Sequence, residues 1–202
     1  EISIGLVGSE MCIRDSSKHS PDNAPIGVNI DYQLNKVNFY SQLLIDDLNI
    51  NRYDNTGDGF FQNKLAFQIG IKSEFNVNEH NFYFLSEYNQ AQPYTYAHKH
   101  PMQNYTHMNQ ALAHPLGANF KENILIINHN YKKWGIGLKY TYAEYGADST
   151  GTHYGQNIFI SDFLASGEGG EFSYGNYNGQ GVLNRLHTCL LYTSDAADDR
   201  VS

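Results

Sequence analysis

The chain has 202 residues, with 13 basic and 21 acidic side chains, a formal net charge of −8 and a negative mean hydropathy. An acidic chain lacks the basic surface that nucleic-acid binding requires, so a nucleic-acid partner is excluded. The longest purely aliphatic run is Ile124–Ile127, and a transmembrane helix needs about 20 apolar residues, so none is expected. Sixteen Tyr and eleven Phe, against one Trp, favour β-strands.

The two ends of the chain are interpreted as non-native. Residues 1–16, EISIGLVGSEMCIRDS, and 189–202, CLLYTSDAADDRVS, resemble peptides that arise when sequencing-adapter DNA is translated at the edge of a read. A signal peptide is the alternative for the first segment, but that segment lacks a basic region and a long apolar run. Both cysteines, Cys12 and Cys189, lie in these segments, so no disulfide is expected. The remaining residues 17–188 carry 11 basic and 15 acidic side chains and are expected to form one domain, truncated at both ends.

Alternation of apolar and polar side chains predicts β-strands along most of the chain. It is clearest in KLAFQIGIKSEFNV, where Leu65, Phe67 and Ile69 begin an apolar face and Gln68 and Lys72 lie on the opposite, polar face. In chain order, the predicted strands are 26–33, 36–47, 64–75, 81–91, 121–130, 134–145, 171–176 and 180–188.

Short and long connections alternate between these strands. The short ones are Leu34-Asn35, NVNEH, YKK and YNG, and the last contains Asn178-Gly179, a strong hairpin signal. The long ones are 48–63, 92–120 and 146–170. Because alternate connections of an antiparallel meander lie at opposite ends of the sheet, all the long loops are expected to gather at one end.

Long loops at one end, strands of about ten residues and one aromatic-rich face are typical of outer-membrane β-barrels. Trp134 and Tyr131 lie beside a short turn, where the aromatic girdle of a barrel belongs. The predicted fold is therefore all-β, an antiparallel up-and-down meander that forms a fragment of an outer-membrane β-barrel over residues 17–188. The alternative is a soluble β-sandwich, which also alternates with period two but does not explain the shared end of the long loops.

Several segments resemble a known family. They are LLIDDLNI at 43–50, QPYTY at 92–96, YTHMNQALAHPLGANFKENI at 105–124 and YGQNIF at 154–159. They are similar to outer-membrane proteins of the Bacteroidetes, namely the capsule assembly Wzi family and RemB-like gliding motility proteins. The resemblance implies a large single-chain barrel in the outer membrane, with a role in attaching capsular polysaccharide or in gliding, and it implies no catalytic residue.

The long loop 92–120 shows neither helical nor strand periodicity, and long loops of this kind are usually functional or disordered. Its aromatic rings suit the flat faces of sugars, and its amides suit sugar hydroxyls. The candidate glycan-binding residues are Tyr94, Tyr96, His98, Tyr105, His107, Asn109, Gln110 and His114. The alternative is a loop that packs on itself and plugs the barrel lumen, shaped by Pro101, Pro115 and Gly117.

No cofactor, metal or catalytic site is expected. The loop histidines match no structural zinc spacing. DNTGDG at 54–59 resembles a calcium loop, but its twelfth position is Leu65 instead of Glu. Asp46 and Asp47 are adjacent in a strand and so point to opposite faces, which excludes a catalytic dyad.

Three functions remain open from the sequence. The first is a non-enzymatic outer-membrane surface barrel, with membrane lipid as its partner, that binds capsular or extracellular polysaccharide or supports gliding. The second is a diffusion porin whose long loops constrict a polar lumen. The third is a soluble secreted lectin-like β-sandwich.

Overall fold

The computed structural model describes residues 2–8, 25–47, 64–101, 104–108, 110–112, 114–148, 151–164 and 182–195. The described residues form β1 (Ile2–Gly8), β2 (Ile26–Leu34), β3 (Val37–Asp47), β4 (Lys64–Val77), β5 (His80–Ala91), β6 (Thr106–His107), β7 (Gln110–Ala111), β8 (Phe120–Tyr131), β9 (Trp134–Ala147) and β10 (Val182–Asp195), with a 3-10 turn at Asp162–Leu164. None of the helical segments among these residues has the length and apolar character to cross a membrane.

Eight strands form one antiparallel sheet in the order β1-β2-β3-β4-β5-β8-β9-β10. Each strand pairs with the next large strand along the chain, so the all-β up-and-down meander predicted from the sequence is confirmed. β6 and β7 form a separate two-stranded ribbon within the connection between β5 and β8. In the described part of the chain the sheet is open, with β1 and β10 at its two edges.

Three two-residue turns lie together at one end of the sheet. They follow β2, β4 and β8, and their first residues are Asn35, Asn78 and Lys132, each with φ between 52° and 55°. Left-handed backbone at such a position is what tight hairpins need. The turns are shorter than the NVNEH and YKK connections expected from the sequence, because the strands extend further toward each turn. The predicted strand 171–176 and the Asn178-Gly179 turn lie outside the described residues.

Both segments interpreted as non-native contribute to the edges of the sheet. β1 lies within residues 1–16 and pairs with β2 from Ile2↔Tyr32 to Gly8↔Ile26. β10 runs through the exposed Cys189 to Asp195 alongside β9. Cys12 lies outside the described residues. The interpretation of these segments as non-native stays a prediction.

The sheet has one apolar and one polar face. The apolar face carries large side chains that are 40–63% exposed, among them Leu43, Ile69, Ile127, Trp134 and Ile136. Cross-strand pairs keep these residues on one side, as in Leu43↔Phe67 and Ile69↔Tyr88. The polar face carries Asn38, Gln42, Gln68, Lys72, Asn89, Glu122 and Lys139. Within the described ranges no second sheet covers the apolar face, so the two-sheet packing of a β-sandwich is not what these residues form.

The buried core lies on the polar face, at the end where the long loops are. It consists of Ala66, Ala91, Tyr96, Ala118, Phe120 and Ile158. Ala66, Ala91 and Phe120 come from the strands β4, β5 and β8, whereas the other three come from the two long connections after β5 and β9. The core therefore forms where loops fold back onto the sheet.

Candidate functional site

The connection 92–119, called the plug loop below, packs over the polar face of the sheet. Tyr94, Thr95 and Tyr96 are at most 5% exposed, and Ala118 is fully buried. The second long connection, of which 148 and 151–164 are described, packs against it and contributes Ile158 to the core. The loop is thus packed against the sheet and the second connection, and whether it plugs a barrel lumen stays a prediction.

Asp46 anchors the start of the plug loop to β3. Its carboxylate accepts a hydrogen bond from the backbone N–H of Tyr96 at 2.9 Å and lies 3.1 Å from Nε2 of His98. The side chain of Asp46 is fully buried, and the register of β3 against β4 shifts between Ile45 and Asp47. Such a bulge redirects side chains at a strand end. Burial, followed by the negative charge of Asp46, raises the pKa of the Tyr96 phenol above its usual value.

Lys64 ties the two long connections together. It is 1% exposed, and its ammonium donates to the carbonyl of Ala97 in the plug loop and to Oδ2 of Asp162 at 2.8 Å in the second connection. A buried charge is tolerated only when it is paired and hydrogen-bonded. The ion pair therefore fixes both loops against the first residue of β4.

Further hydrogen bonds join the two connections directly. The hydroxyl of Tyr94 donates to the carbonyl of His153 at 2.8 Å, and the backbone N–H of Tyr94 donates to the carbonyl of Gly155 at 3.1 Å. The amide of the fully buried Asn119 donates to the carbonyls of Gly146 and Tyr154. Tyr94 and Tyr96 have φ of 63° and 73°, a conformation that persists in large residues only when the surroundings hold it.

A third anchor closes the plug loop near β8. Nε2 of His114 lies 3.0 Å from Glu122, and the side-chain amide of Asn89 donates to the same carboxylate at 3.1 Å. The imidazole of His114 also stacks on Phe120, with 4.2 Å between ring centres.

A cavity of about 290 Å³ remains between the plug loop and the polar face. Strand residues form one wall and loop residues the other. The lining residues are Gln42, Leu44, Ala66, Phe67, Gln68, Asn89, Gln90, Tyr96, Tyr105, Leu112, His114 and Phe120. The cavity combines aromatic rings with amides and is open on one side, an arrangement that can hold a small polar molecule with flat apolar surfaces.

The structure divides seven of the eight candidate glycan-binding residues into three groups. Tyr96, Tyr105 and His114 line the cavity, whereas Tyr94 is buried among the loops and His98 is occupied by Asp46. His107 and Gln110 are exposed on the β6–β7 ribbon, and Asn109 lies outside the described residues. Glycan contact by these residues stays a prediction, and three of them meet at the cavity.

Sequence reasoning missed the strand residues of this site. Gln42, Gln68 and Asn89 lie side by side on neighbouring strands, as the pairs Gln42↔Gln68 and Gln68↔Asn89 show. The alternation of apolar and polar residues could have identified them, since all three occupy polar-face positions near the end of the sheet that carries the long loops. The plug loop's position over them could not be derived from the pattern.

The loop histidines do not converge on a metal site. His98 contacts Asp46 and His114 contacts Glu122, in separate anchors. In the part of the chain that is described, no group of three or more His, Cys, Asp or Glu residues could hold a metal ion. The calcium-like segment 54–59 lies outside the described residues.

No family model, curated protein or solved structure matches the chain. The resemblance to capsule assembly and gliding proteins therefore depends on the sequence segments quoted above.

Proposed function

We propose that the chain is part of a non-enzymatic outer-membrane β-barrel, exposed at the cell surface and serving capsular or extracellular polysaccharide attachment or gliding. The membrane part is supported by an apolar face that no described element covers, opposite a polar face that holds a folded loop. Soluble proteins rarely expose large contiguous apolar patches. A barrel in lipid requires such a face outside and a polar one inside.

Strand length and aromatic placement support the proposal. The six central strands of the large sheet, β2, β3, β4, β5, β8 and β9, are 9 to 14 residues long. This is enough for a tilted membrane crossing, which needs about 9–11 residues. At the short-turn end the apolar face carries a row of rings, formed by Phe75, His80, Phe82, His129 and Tyr131, with neighbouring centres 4.3–5.1 Å apart. Aromatic rings at this level correspond to the girdle of an outer-membrane barrel.

The proposed surface role is supported by the resemblance and by the plug loop. A diffusion porin, the second function considered, needs an open polar interior. The plug loop instead covers the polar face at the long-loop end and is pinned there by Asp46, Lys64 and Glu122. A polar face that is covered by a fixed loop at one end fits a protein with a surface role better than one that conducts solutes.

The single tryptophan provides a direct test of lipid contact. Trp134 is 63% exposed on the apolar face, beside the turn between β8 and β9. We expect its fluorescence to be quenched when the full chain is refolded into vesicles of brominated phosphatidylcholine, because bromine quenches only rings that it touches.

Two variants provide the control, each with the tryptophan moved in a Trp134→Phe background. Ile136→Trp keeps the ring on the apolar face and should be quenched, whereas Lys139→Trp moves it to the polar face and should not be. Equal quenching at both positions would contradict the proposal, as would a folded chain that stays soluble without detergent.

A further inference from the structure

The cavity under the plug loop has two chemically different walls. The strand wall carries the amides of Gln42, Gln68 and Asn89, in register on β3, β4 and β5. The loop wall carries Tyr96 and Tyr105, whose rings stack with 5.9 Å between centres and 29° between planes. The volume of about 290 Å³ is near the lower limit of roughly 300 Å³ for small-molecule pockets, which suits one or two sugar rings.

Two of the amides are available to a ligand. Asn89 is held by Glu87 and Glu122. Gln42 and Gln68, by contrast, make no side-chain hydrogen bond within the described part of the chain, although both line the cavity. An amide has one acceptor and two donor hydrogens, so it can bind a vicinal pair of hydroxyls.

The cavity offers no cation for an acidic ligand. The described residues of its lining include neither Lys nor Arg, and the one imidazole among them, that of His114, is held by the carboxylate of Glu122. The carboxylate of Asp46 lies close behind Tyr96. An anion that entered this cavity would lose its hydration without gaining an ion-pair partner, and burial of an unpaired charge costs free energy.

From these observations we infer that the cavity binds a neutral saccharide unit, with Gln42 and Gln68 bound to its hydroxyls and Tyr105 packed against its C–H face. The inference deepens the proposed surface function and rests on it for the source of the ligand. It assigns hydroxyl recognition to strand residues and leaves the exposed His107 and Gln110 outside the site.

The test measures saccharide binding to the full chain in detergent. Maltose, lactose and mannobiose are titrated as neutral probes and sodium glucuronate as the acidic one, by calorimetry or by saturation-transfer NMR. We expect at least one neutral disaccharide to bind saturably, and glucuronate to bind at least tenfold more weakly. The Gln42→Ala/Gln68→Ala variant should lose about tenfold in affinity, as expected for two lost hydrogen bonds.

A matched control is Asn81→Ala, which removes an exposed amide from the same face at the short-turn end and should leave affinity unchanged. Absence of saturable binding by every neutral probe would overturn the inference. So would an unchanged affinity in the double variant, or glucuronate binding as tight as that of the disaccharides.

Failure of this inference is distinguishable from failure of the proposed function. A chain whose Trp134 is quenched by lipid but which binds no saccharide would overturn the cavity assignment alone. A soluble chain that binds a neutral disaccharide through Gln42 and Gln68 would overturn the membrane proposal and leave the cavity assignment standing.

Discussion

At the scale of single residues, two glycines allow the two long connections to approach each other. Gly117 and Gly155 have φ of 75° and 84°. A Cβ at Gly155 would collide with the backbone nitrogen of Tyr94, and one at Gly117 with the backbone carbonyl oxygen of Gln156. Backbone atoms cannot move aside as the end of a side chain can, so both positions require glycine for contact as well as for conformation.

Gly155→Ala is therefore expected to destabilise the loop packing more than Gly151→Ala. Gly151 has a similar φ of 80° but nothing within 4 Å of its added Cβ, so it isolates the conformational cost, roughly 1 kcal/mol. The clash at Gly155 should add about 1–3 kcal/mol. Urea unfolding of both variants in detergent measures the difference in their free energies of unfolding. Equal destabilisation would show that the close contact between Gly155 and Tyr94 does not contribute to stability.

The phenol of Tyr96 is expected to titrate at an unusually alkaline pH. Burial, then the nearby carboxylate of Asp46, raises its pKa in the folded protein. The stabilisation by the neutral phenol is thus fully present below the ordinary tyrosine pKa of about 10 and is lost as pH rises through the higher folded value.

Absorbance at 295 nm, compared between the parent chain and Tyr96→Phe, isolates this one phenol among sixteen tyrosines. The difference should develop above pH 10, together with release of the plug loop in the parent. A difference curve centred at the ordinary value would contradict the buried position of Tyr96.

At the scale of elements, the plug loop depends on anchors that the strands supply. Asp46→Ala leaves the N–H of Tyr96 and the ring of His98 without their acceptor, and an unsatisfied buried donor costs about 1–3 kcal/mol. The exposed Lys99 should then become a faster trypsin site. Limited proteolysis with mass spectrometry measures this rate.

Asp46→Asn is the matched variant, because its amide oxygen still accepts from Tyr96. Asp46→Asn should raise the rate of cleavage at Lys99 less than Asp46→Ala does. Glu74→Ala, which removes an exposed carboxylate from the neighbouring strand β4, should leave that rate unchanged. A cleavage rate that is the same in all four proteins would mean that Asp46 does not hold the loop.

The six central strands of the large sheet were predictable from the sequence, whereas β1, β6, β7 and the loop packing were not. Period-two alternation depends on neighbouring residues, so 64–75 and 134–145 were identified close to the observed Lys64–Val77 and Trp134–Ala147. The anchors join distant positions, since His98 and Asp46 are 52 positions apart in the sequence and Lys64 and Asp162 are 98 apart. No local pattern encodes such pairs, and the bulge that redirects Asp46 is equally invisible in the alternation.

At the scale of the whole molecule, the two faces of the sheet determine where it can reside. A sandwich would bury Leu43, Ile69 and Ile136 in a dry core between two sheets, but they are 40%, 56% and 51% exposed. The polar face instead receives the core, through loops rather than a second sheet. An assembly of this kind is stable in water only if something apolar covers the other face, which is the reason for proposing lipid.

Two isoleucines at the same height on opposite faces give the sharpest test of that proposal. Ile69 pairs with Tyr88 on the apolar face, and Ile124 pairs with Glu87, the adjacent residue of β5, on the polar face. Ile69→Lys should weaken folding into lipid vesicles by about 2–4 kcal/mol, the cost of a lysine at mid-membrane on a barrel surface. Ile124→Lys should cost little, because its ammonium would lie beside the carboxylate of Glu87.

Urea titration of the vesicle-bound chains, followed by heat-dependent mobility on gels, measures both free energies of unfolding. If Ile124→Lys were the more damaging change, the polar face would be the one against lipid and the assignment of inside and outside would be reversed. If both cost the same, neither face would be in contact with lipid, and the apolar face would need another apolar cover.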